Sequence, residues 1–372
     1  MAEREGRMRL IQTVDLGVIR RNIAAVRART GVRVLVMVKA DAYGHGMTEV
    51  ARAIADEADM LGVATLEEGE ELRKCAVKTP VLVAICPPGG LMRASAAGLT
   101  AAVADAETLR ALAALPLPLR PAFHLKFDTG MHRLGFPAED AGEVLNFLLS
   151  RGLVPEGVYS HFGEPSAAQA ERFGAVASLF VREFPAVTTH LASSSSLDMP
   201  EARRDMVRIG HAAYLGAMRV ESRVIAVRRV RAGESVGYGH HPLPRDAVIA
   251  VVFGGYFDGV YRESPSPVLI GGRECPAAGS VCMDMFAVDV GDIPVREGDP
   301  VILLGGALTA QRVAAARGTT QHEVMTSWHG RTERVYVDQT GSTQESECRG
   351  GENERRGEGV GVGSDHGRSH LS

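Results

Sequence analysis

The sequence predicts an α/β fold in which a TIM-like (β/α)8 barrel precedes a smaller, mainly-β domain. Eight short apolar runs alternate with helix-like segments over roughly the first 200 residues, which is the linear pattern of a barrel. From about Val220 onwards the long helices disappear, and short β-rich runs are separated by Gly and Pro. Polar residues recur just after the apolar runs, where a barrel carries its active site.

The eight apolar runs are the predicted barrel strands. They occupy residues 34–38, 61–64, 81–85, 100–103, 121–127, 157–160, 188–191 and 206–208. Between them lie predicted helices at 47–58, 66–74, 106–114, 138–149 and 167–184. Ahead of them, a short strand leads into a helix within 13–29 that Asp15 can cap. A doubly wound open sheet is the alternative, but the G-x-G-x-x-G turn that it would need does not follow the first run.

These patterns divide the chain into three parts. The barrel is expected over 10–219, with the N-terminal strand assigned either to it or to the second domain, and the β-domain over 220–337. The β-rich runs are 220–230, 247–253, 267–270, 287–290 and 300–304, with a helix at 310–316. Residues 338–372 are rich in Gly, Ser, Glu and Arg and nearly free of apolar side chains, so this tail is predicted to be disordered.

The bulk composition excludes several classes of function. A net charge of -4 gives no electrostatic case for nucleic acid or an anionic membrane as partner. No apolar run approaches the ~20 residues of a membrane span, and no apolar segment of a secretory signal follows the charged N-terminus. The five cysteines show no paired spacing, which favours reduced thiols in a cytoplasm over a disulfide framework or a metal site.

The first apolar run ends in a single lysine and then breaks into a Gly-rich turn. Lys39 follows the run 34–38, and Gly44 and Gly46 follow shortly after. A buried ammonium must be paired or lose its proton, and a neutral lysine is a nucleophile towards aldehydes. A surface lysine beside an ordinary turn is the simpler alternative. Further polar segments follow later strands, at 126–135, 160–162, 190–195 and 208–210, and the carboxyl ends of barrel strands share one face.

Two of these segments carry a family resemblance. Residues 38–46, V-K-A-D-A-Y-G-H-G, resemble the lysine motif of bacterial alanine racemases, whose usual form is V-K-A-N-A-Y-G-H-G. Residues 126–135 contain the K-x-D-T-G-M-x-R-L-G motif of the same family intact. The resemblance extends over roughly residues 10 to 337. It implies a barrel of the pyridoxal-phosphate fold type III, with pyridoxal 5'-phosphate (PLP) bound to Lys39 and an amino acid as substrate.

The resemblance also implies roles for four other residues of the barrel. Arg133 would contact the phenolic oxygen of the cofactor and steer the substrate carboxylate, a task suited to a planar guanidinium. Lys126 matches a carbamylated lysine that orients this arginine. Arg208 matches the arginine facing the pyridine nitrogen, and it does not give up a proton to that nitrogen. His161 would support both Arg208 and the catalytic tyrosine.

The phosphate of the cofactor is expected to bind hydroxyls and backbone N–H groups. By the resemblance, these belong to Ser194, to Gly210 and His211, and to the nearby Tyr43. Two positions depart from the usual motifs, because Ser193 stands where asparagine is usual and Ile209 where proline is usual. A flexible serine loop is the simpler interpretation of residues 193–196.

The second domain resembles the part of the family that completes the site from a partner subunit. Residues 236–239 match the catalytic tyrosine motif, which makes Tyr238 the second acid/base group beside Lys39. Cys282, Met283 and Asp284 match a supporting segment in which Met283 touches the substrate, although Ser280 stands where arginine is usual. Tyr256 matches a residue at the mouth of the site. The resemblance therefore implies a head-to-tail homodimer in which Lys39 serves the D-face and Tyr238 the L-face of Cα.

One departure bears on the substrate. In residues 318–323, G-T-T-Q-H-E, His322 stands where the family has a tyrosine that contacts phosphate and substrate pocket. The sequence therefore predicts a cytoplasmic alanine racemase that supplies D-alanine for peptidoglycan. It leaves open a racemase of the same fold for serine or another amino acid, a fold-related decarboxylase, and a PLP-binding homologue without catalysis.

Overall fold

Strand β1 (Leu10–Asp15) is followed by eight parallel strands that close into a barrel. The computed structural model describes residues 8–263 and 265–338. The barrel strands are β2 (Arg33–Met37), β3 (Met60–Val63), β4 (Val81–Val83), β5 (Thr100–Val103), β6 (Phe123–Asp128), β8 (Gly157–Tyr159), β9 (Thr188–His190) and β10 (Met206–Ile209), with β7 (Phe136–Pro137) beside β6. Pairing of β5 with β6 and of β10 with β2 closes the ring. The predicted barrel is confirmed.

Right-handed helices connect most of the strands on the outside. They are α1 (Leu16–Thr30), α3 (Met47–Ala53), α4 (Leu66–Lys74), α5 (Leu91–Ala96), α6 (Ala106–Ala114), α7 (Ala141–Arg151), α8 (Ala167–Glu183) and α9 (His211–Tyr214), whereas α2 (Lys39–Gly44) is a left-handed segment. Asp15 caps α1 by accepting a hydrogen bond from the Val18 N–H, as the sequence suggests. The predicted helix at 47–58 ends earlier, at Ala53.

Side chains of the barrel strands alternate between two apolar environments. Val34 and Val36 point outward into the large core beneath the helices, whereas Leu35 points into the barrel. The barrel interior is a small separate cluster formed by Leu35, Met60, Leu82, Ala102, Tyr159 and Met206. This packed layer lies directly beneath the polar residues at the carboxyl ends of the strands.

The chain after the barrel forms a second, mainly-β sheet, as predicted. Its strands are β11 (Met218–Val230), β12 (Ala247–Phe253), β13 (Val268–Ile270), β14 (Arg273–Cys275), β15 (Met285–Asp289), β16 (Pro300–Leu304) and β17 (Thr332–Val337), with helices α10 (Ala310–Arg317) and α11 (Gln321–Thr326). The order is β14-β13-β16-β11-β1-β17, and β12 pairs with β11 and β15. The sequence did not predict β14, β17 or α11.

The N-terminal strand belongs to this second sheet. β1 runs antiparallel to β11, and parallel to β17 over its whole length. Residues 10–15 are therefore hydrogen-bonded to the last described strand. Asp338, at the start of the tail predicted to be disordered, pairs with Arg20, and residues 339–372 lie outside the described residues. Within the described ranges, no helix combines the length and the apolar character that crossing a bilayer requires.

Candidate active site

A cavity of about 350 Å³ opens at the carboxyl ends of the barrel strands. Its lining residues are Met37, Lys39, Tyr43, Gly62, Leu82, Ala84, Lys126, Arg133, Tyr159, His161, Ser193, Ser194, Ser195, Arg208, Gly210, His211 and His322. Every site residue that the sequence assigns to the barrel is among them, and His322 reaches the cavity from α11. The fold thus gathers residues from distant parts of the sequence at one face, as parallel strands of a barrel do.

The charge of this cavity is one-sided. Four cationic side chains line it (Lys39, Lys126, Arg133 and Arg208), and no carboxylate is among the lining residues of the described chain. Neighbouring positive charges repel one another, and a bound anion relieves this repulsion. A group of basic side chains such as this one therefore attracts anions. The cavity is therefore built for a ligand with several negative charges.

The segment that carries Lys39 has an unusual backbone. Four consecutive residues after it, Ala40 to Tyr43, have φ between 52° and 54°, the left-handed region that residues with a side chain avoid. Lys39 follows the end of β2 by two residues instead of ending the strand. The left-handed turn brings Tyr43 round, so that Lys39 and Tyr43 both line the cavity.

Both lysines of the cavity have pKa values below that of a free lysine. Burial lowers the pKa of Lys39 below its ordinary value, and the nearby Arg133 guanidinium lowers it further. Burial, followed by the charges of Arg133 and Arg208, lowers the pKa of Lys126 to about 8. Both amines are therefore neutral more often near neutral pH than a free lysine, and a neutral amine is the form that attacks a carbonyl carbon or CO₂.

Arg208 is buried and surrounded by neutral acceptors. Its Nη1 donates to His190 Nδ1 and to the His190 carbonyl, both at 3.0 Å, and its Nη2 donates to the Ser160 carbonyl at 2.7 Å and His161 Nδ1 at 3.1 Å. Burial lowers the pKa of Arg208 to about 10, so it keeps its proton at neutral pH. A buried cation with no anionic partner among these contacts faces the cavity ready for an electron-rich group.

Two buried histidines behind Arg208 extend this network. His124 Nδ1 lies 2.9 Å from His190 Nε2. Burial and the Arg208 charge lower the pKa of His124 to about 3, and they lower that of His190 as well. Both rings are therefore neutral. Because His190 Nδ1 accepts from Arg208, its proton lies on Nε2, which donates to His124 Nδ1.

The serine segment meets the loop after β10 at another wall of the cavity. Ser194 Oγ accepts hydrogen bonds from the N–H groups of Gly210, at 3.0 Å, and Ala212, at 3.3 Å. The His211 and His322 rings meet edge to face with centroids 4.9 Å apart, and Tyr43 lies 5.9 Å from His322. Hydroxyl, imidazole and phenol donors thus converge on a region lined by backbone N–H groups.

Arg133 lies on a loop that hydrogen bonds hold in place from β6 and from α8. Asp128 accepts hydrogen bonds from the N–H groups of Gly130, at 2.8 Å, and Met131, at 2.9 Å. From α8, Arg172 donates to the Thr129 carbonyl at 3.0 Å. These contacts fix the loop that carries Arg133 into the wall of the cavity.

The residues predicted from the second domain lie elsewhere in the single chain. Tyr238, Met283 and Tyr256 do not line the cavity, and their side chains are 69%, 52% and 39% exposed. Cys282 and Asp284 belong to the same segment, which Arg331 holds by pairing with Asp284 at 2.8 Å. In a single subunit these residues therefore lie outside the cavity that Lys39 lines.

Sequence reasoning missed His124 and Tyr159 as members of the site, and it noted His190 only as the first residue of the polar segment 190–195. Tyr159 stacks on His190 at 4.7 Å and lies beneath the Arg208 guanidinium at 5.2 Å. Each of the three is a polar or aromatic side chain on a barrel strand. Their inward-facing positions on the predicted strands could have identified them from the sequence. Within the described chain, no group of three or more His, Cys, Asp or Glu side chains could hold a metal ion.

Comparison with known proteins places this geometry in one family. The alanine racemase N-terminal domain matches residues 14–217, and the alanine racemase C-terminal domain matches residues 217–336. An alanine racemase from Pectobacterium atrosepticum is 39% identical over 86% of this chain and 96% of its own length. That from Streptomyces lavendulae superposes with a TM-score of 0.84, at 32% identity, over 90% of this chain and 98% of its own.

A more distant relative shares the fold. The alanine racemase from Bartonella henselae, solved with covalently bound pyridoxal phosphate, is 23% identical, covers 89% of this chain and all of its own, and has a TM-score of 0.81. The two family domains together cover nearly all of the described chain, and curated relatives match it over most of their length. This chain is a member of the alanine racemase family of enzymes.

Proposed function

We propose that the enzyme interconverts L-alanine and D-alanine with PLP as its cofactor, in sites shared between two subunits. The observation that carries this proposal is the barrel cavity itself, which presents four basic side chains and, among its described lining residues, no carboxylate. One of those basic side chains is a lysine whose pKa is lowered by burial. A phosphate, a phenolic oxygen and a substrate carboxylate together supply the negative charge that such a cavity needs.

The residues present fit this cofactor. Lys39 can bind its aldehyde carbon covalently, and Ser194, Gly210 and His211 can hold its phosphate beside Tyr43 and His322. Arg208 would face the ring nitrogen, and because it keeps its proton, it leaves that nitrogen without one. When bound, PLP withdraws electrons from Cα of an amino acid and makes its proton acidic.

Within this frame the protein residues orient the substrate and exchange protons at Cα. Arg133 would grip the substrate carboxylate, and Lys126 would fix the position of Arg133. On one face of Cα, Lys39 Nζ would take the proton as a neutral amine and return a proton as an ammonium. Arg208, held in place by His161 and His190, would leave the ring nitrogen of the cofactor without a proton, which favours return of a proton to Cα.

A racemase needs a second acid/base group on the opposite face of Cα. We assign this role to Tyr238 of the partner subunit, with Met283 of the partner subunit beside the substrate and Tyr256 of the partner subunit at the mouth. The high exposure of all three side chains in the single chain supports this assignment. A head-to-tail homodimer would bury them.

The experiment that tests the proposed activity uses purified enzyme supplied with PLP. Single L-amino acids are incubated with it, and the loss of optical activity is followed by circular dichroism. We expect racemisation of alanine at the highest kcat/KM of the series. A protein that binds PLP covalently but racemises none of them would be the non-catalytic homologue. In the cell, we propose that this cytoplasmic activity supplies D-alanine for peptidoglycan.

Serine is the second candidate substrate, and His322 favours it. An imidazole is smaller than the phenol usual at this position, and its nitrogens can bond to a hydroxymethyl group. We expect His322→Tyr to lower kcat/KM for serine relative to alanine by about tenfold, the loss of one polar contact. The two substrates are compared in wild type and variant, with Thr326→Ser on the same helix as control. An unchanged ratio would show that His322 does not set specificity.

Lys126 is expected to carry a carbamate, formed when its neutral amine bonds to CO₂ and releases a proton. Because its pKa is about 8, the reactive neutral form increases as pH rises through that value. The anion would pair with Arg133 and orient it. We expect Lys126→Ala to raise KM for alanine on the order of tenfold, with a smaller change in kcat. Intact-mass measurement should show one added CO₂ in wild type and none in the variant. Equal KM values would refute this role.

A further inference from the structure

The left-handed turn after Lys39 needs support from outside itself. Ala40, Asp41, Ala42 and Tyr43 all carry a Cβ, and each has φ between 52° and 54°. This conformation is unfavourable for residues other than glycine and persists where surrounding contacts over-determine it. The contacts that hold this turn therefore decide where its two ends point.

Several of those contacts come from the second sheet. Arg334 on β17 pairs with Asp41, with Nη2 2.8 Å from Oδ2. Gln12 on β1 donates to the Gly44 carbonyl at 2.7 Å. The Gly44 and Gly46 positions lie so close to Met325 of α11 and to the Tyr336 hydroxyl of β17 that neither has room for a Cβ. The turn is therefore seated against β1, β17 and α11.

The barrel side holds the same turn through two further hydrogen bonds. Glu68 of α4 accepts from the Ala40 N–H at 2.8 Å. Asp41 Oδ1 accepts from the Met47 N–H, at the start of α3, at 2.7 Å. Asp41 thus uses one carboxylate oxygen for the barrel and the other for Arg334. The aspartate supplies a negative charge where the usual family motif has a neutral asparagine.

We propose that Arg334 is a positioning residue for Lys39. Through Asp41 it holds the left-handed turn, and thereby keeps Lys39 and Tyr43, at the two ends of the turn, directed into the cavity. The second sheet then contributes to the cofactor site of its own subunit as well as to that of the partner. The role in cofactor capture rests on the function proposed above, whereas the role in holding the turn does not.

The first test needs no cofactor. Amide hydrogen exchange is followed by mass spectrometry in the peptide containing residues 39–46 of the full-length protein. We expect this peptide to exchange about tenfold faster in Arg334→Met and Asp41→Ala, since each removes the same ion pair. Arg273→Met is the matched control, because Arg273 is also an arginine of the second sheet paired with one aspartate, Asp292, at 2.7 Å. Wild-type exchange in both ion-pair variants would overturn the proposal.

The second test measures cofactor capture. Added PLP is trapped on Lys39 with borohydride at successive times and counted by mass spectrometry. We expect attachment to slow about tenfold in Arg334→Met, to recover partly in Arg334→Lys, and to match wild type in Arg273→Met. Asp41→Ala combined with Arg334→Met should be no slower than Asp41→Ala alone, because the ion pair is already absent once Asp41 is replaced.

These measurements separate two kinds of failure. If wild type attaches no PLP, the proposed function fails, and the exchange rates still judge whether Arg334 holds the turn. If wild type attaches PLP and Arg334→Met does so equally fast, the positioning role is wrong. Thermal unfolding of each variant, followed by circular dichroism, ensures that the comparison is made between folded proteins.

Discussion

Lys39→Ala is expected to abolish both the covalent attachment of PLP and the racemisation of alanine. The variant loses the amine that binds the cofactor and the base that serves one face of Cα. A missing acid/base group alone costs about 10²- to 10⁴-fold, so we expect kcat to fall by at least about a thousandfold. Borohydride trapping and circular dichroism of alanine measure the two losses.

Lys78→Ala is the matched control for this variant. Lys78 is an exposed lysine of the same barrel and lies outside the cavity. It should retain both attachment and activity. If Lys39→Ala still bound PLP covalently, another amine, with Lys126 as the obvious candidate, would be the cofactor lysine. If it still racemised alanine at the wild-type rate, the two-base account would be wrong.

Tyr238→Phe is expected to stop racemisation while leaving PLP attached to Lys39. The phenol is the only acid/base group proposed for the L-face, so we expect kcat/KM to fall by about 10²- to 10⁴-fold in both directions. Lys39 remains able to exchange the proton on its own face. In D₂O the variant should therefore exchange the Cα proton of D-alanine without inversion, and it should leave L-alanine nearly unchanged. Proton NMR of Cα measures both.

Tyr261→Phe serves as the control for the loss of a phenol. Tyr261 is partly exposed in the same domain and does not line the cavity. It should racemise like wild type. Exchange of both enantiomers in Tyr238→Phe would mean that another group, or Lys39 itself, serves the L-face. Exchange of L-alanine alone would reverse the assignment of the two faces.

The fold was predictable because its elements are decided locally. The apolar runs become β2 to β6 and β8 to β10, and capping residues such as Asp15 and Thr65 start helices at their own positions. The second sheet is harder, since pairing between β1 and β17 joins residues more than three hundred positions apart. The polar strand β14 was missed because it has no apolar alternation, although the Gly271–Gly272 turn before it was visible.

The site was predictable as a set of residues but not as a geometry. Motifs identify Lys39, Arg133 and Arg208 individually, and the barrel explains why they meet. No local sequence pattern predicts the left-handed backbone of Ala40 to Tyr43, because none of these residues is glycine. The contacts that stabilise this backbone come from β1 and β17, which are distant in sequence. The pair His124 and His190 was likewise hidden, since a buried histidine becomes a network member only through its neighbours in space.

The measurement that tests the central proposal most directly mixes two inactive variants. Lys39→Ala and Tyr238→Phe are unfolded together, refolded as a mixture, and assayed with L-alanine. If each site takes Lys39 from one subunit and Tyr238 from the other, half of the random dimers regain one intact site, and activity returns to roughly a quarter of wild type. If both groups came from one chain, every site in the mixture would lack one of them. No activity above that of the separate variants would then contradict the shared site, provided that refolded wild type recovers its own activity.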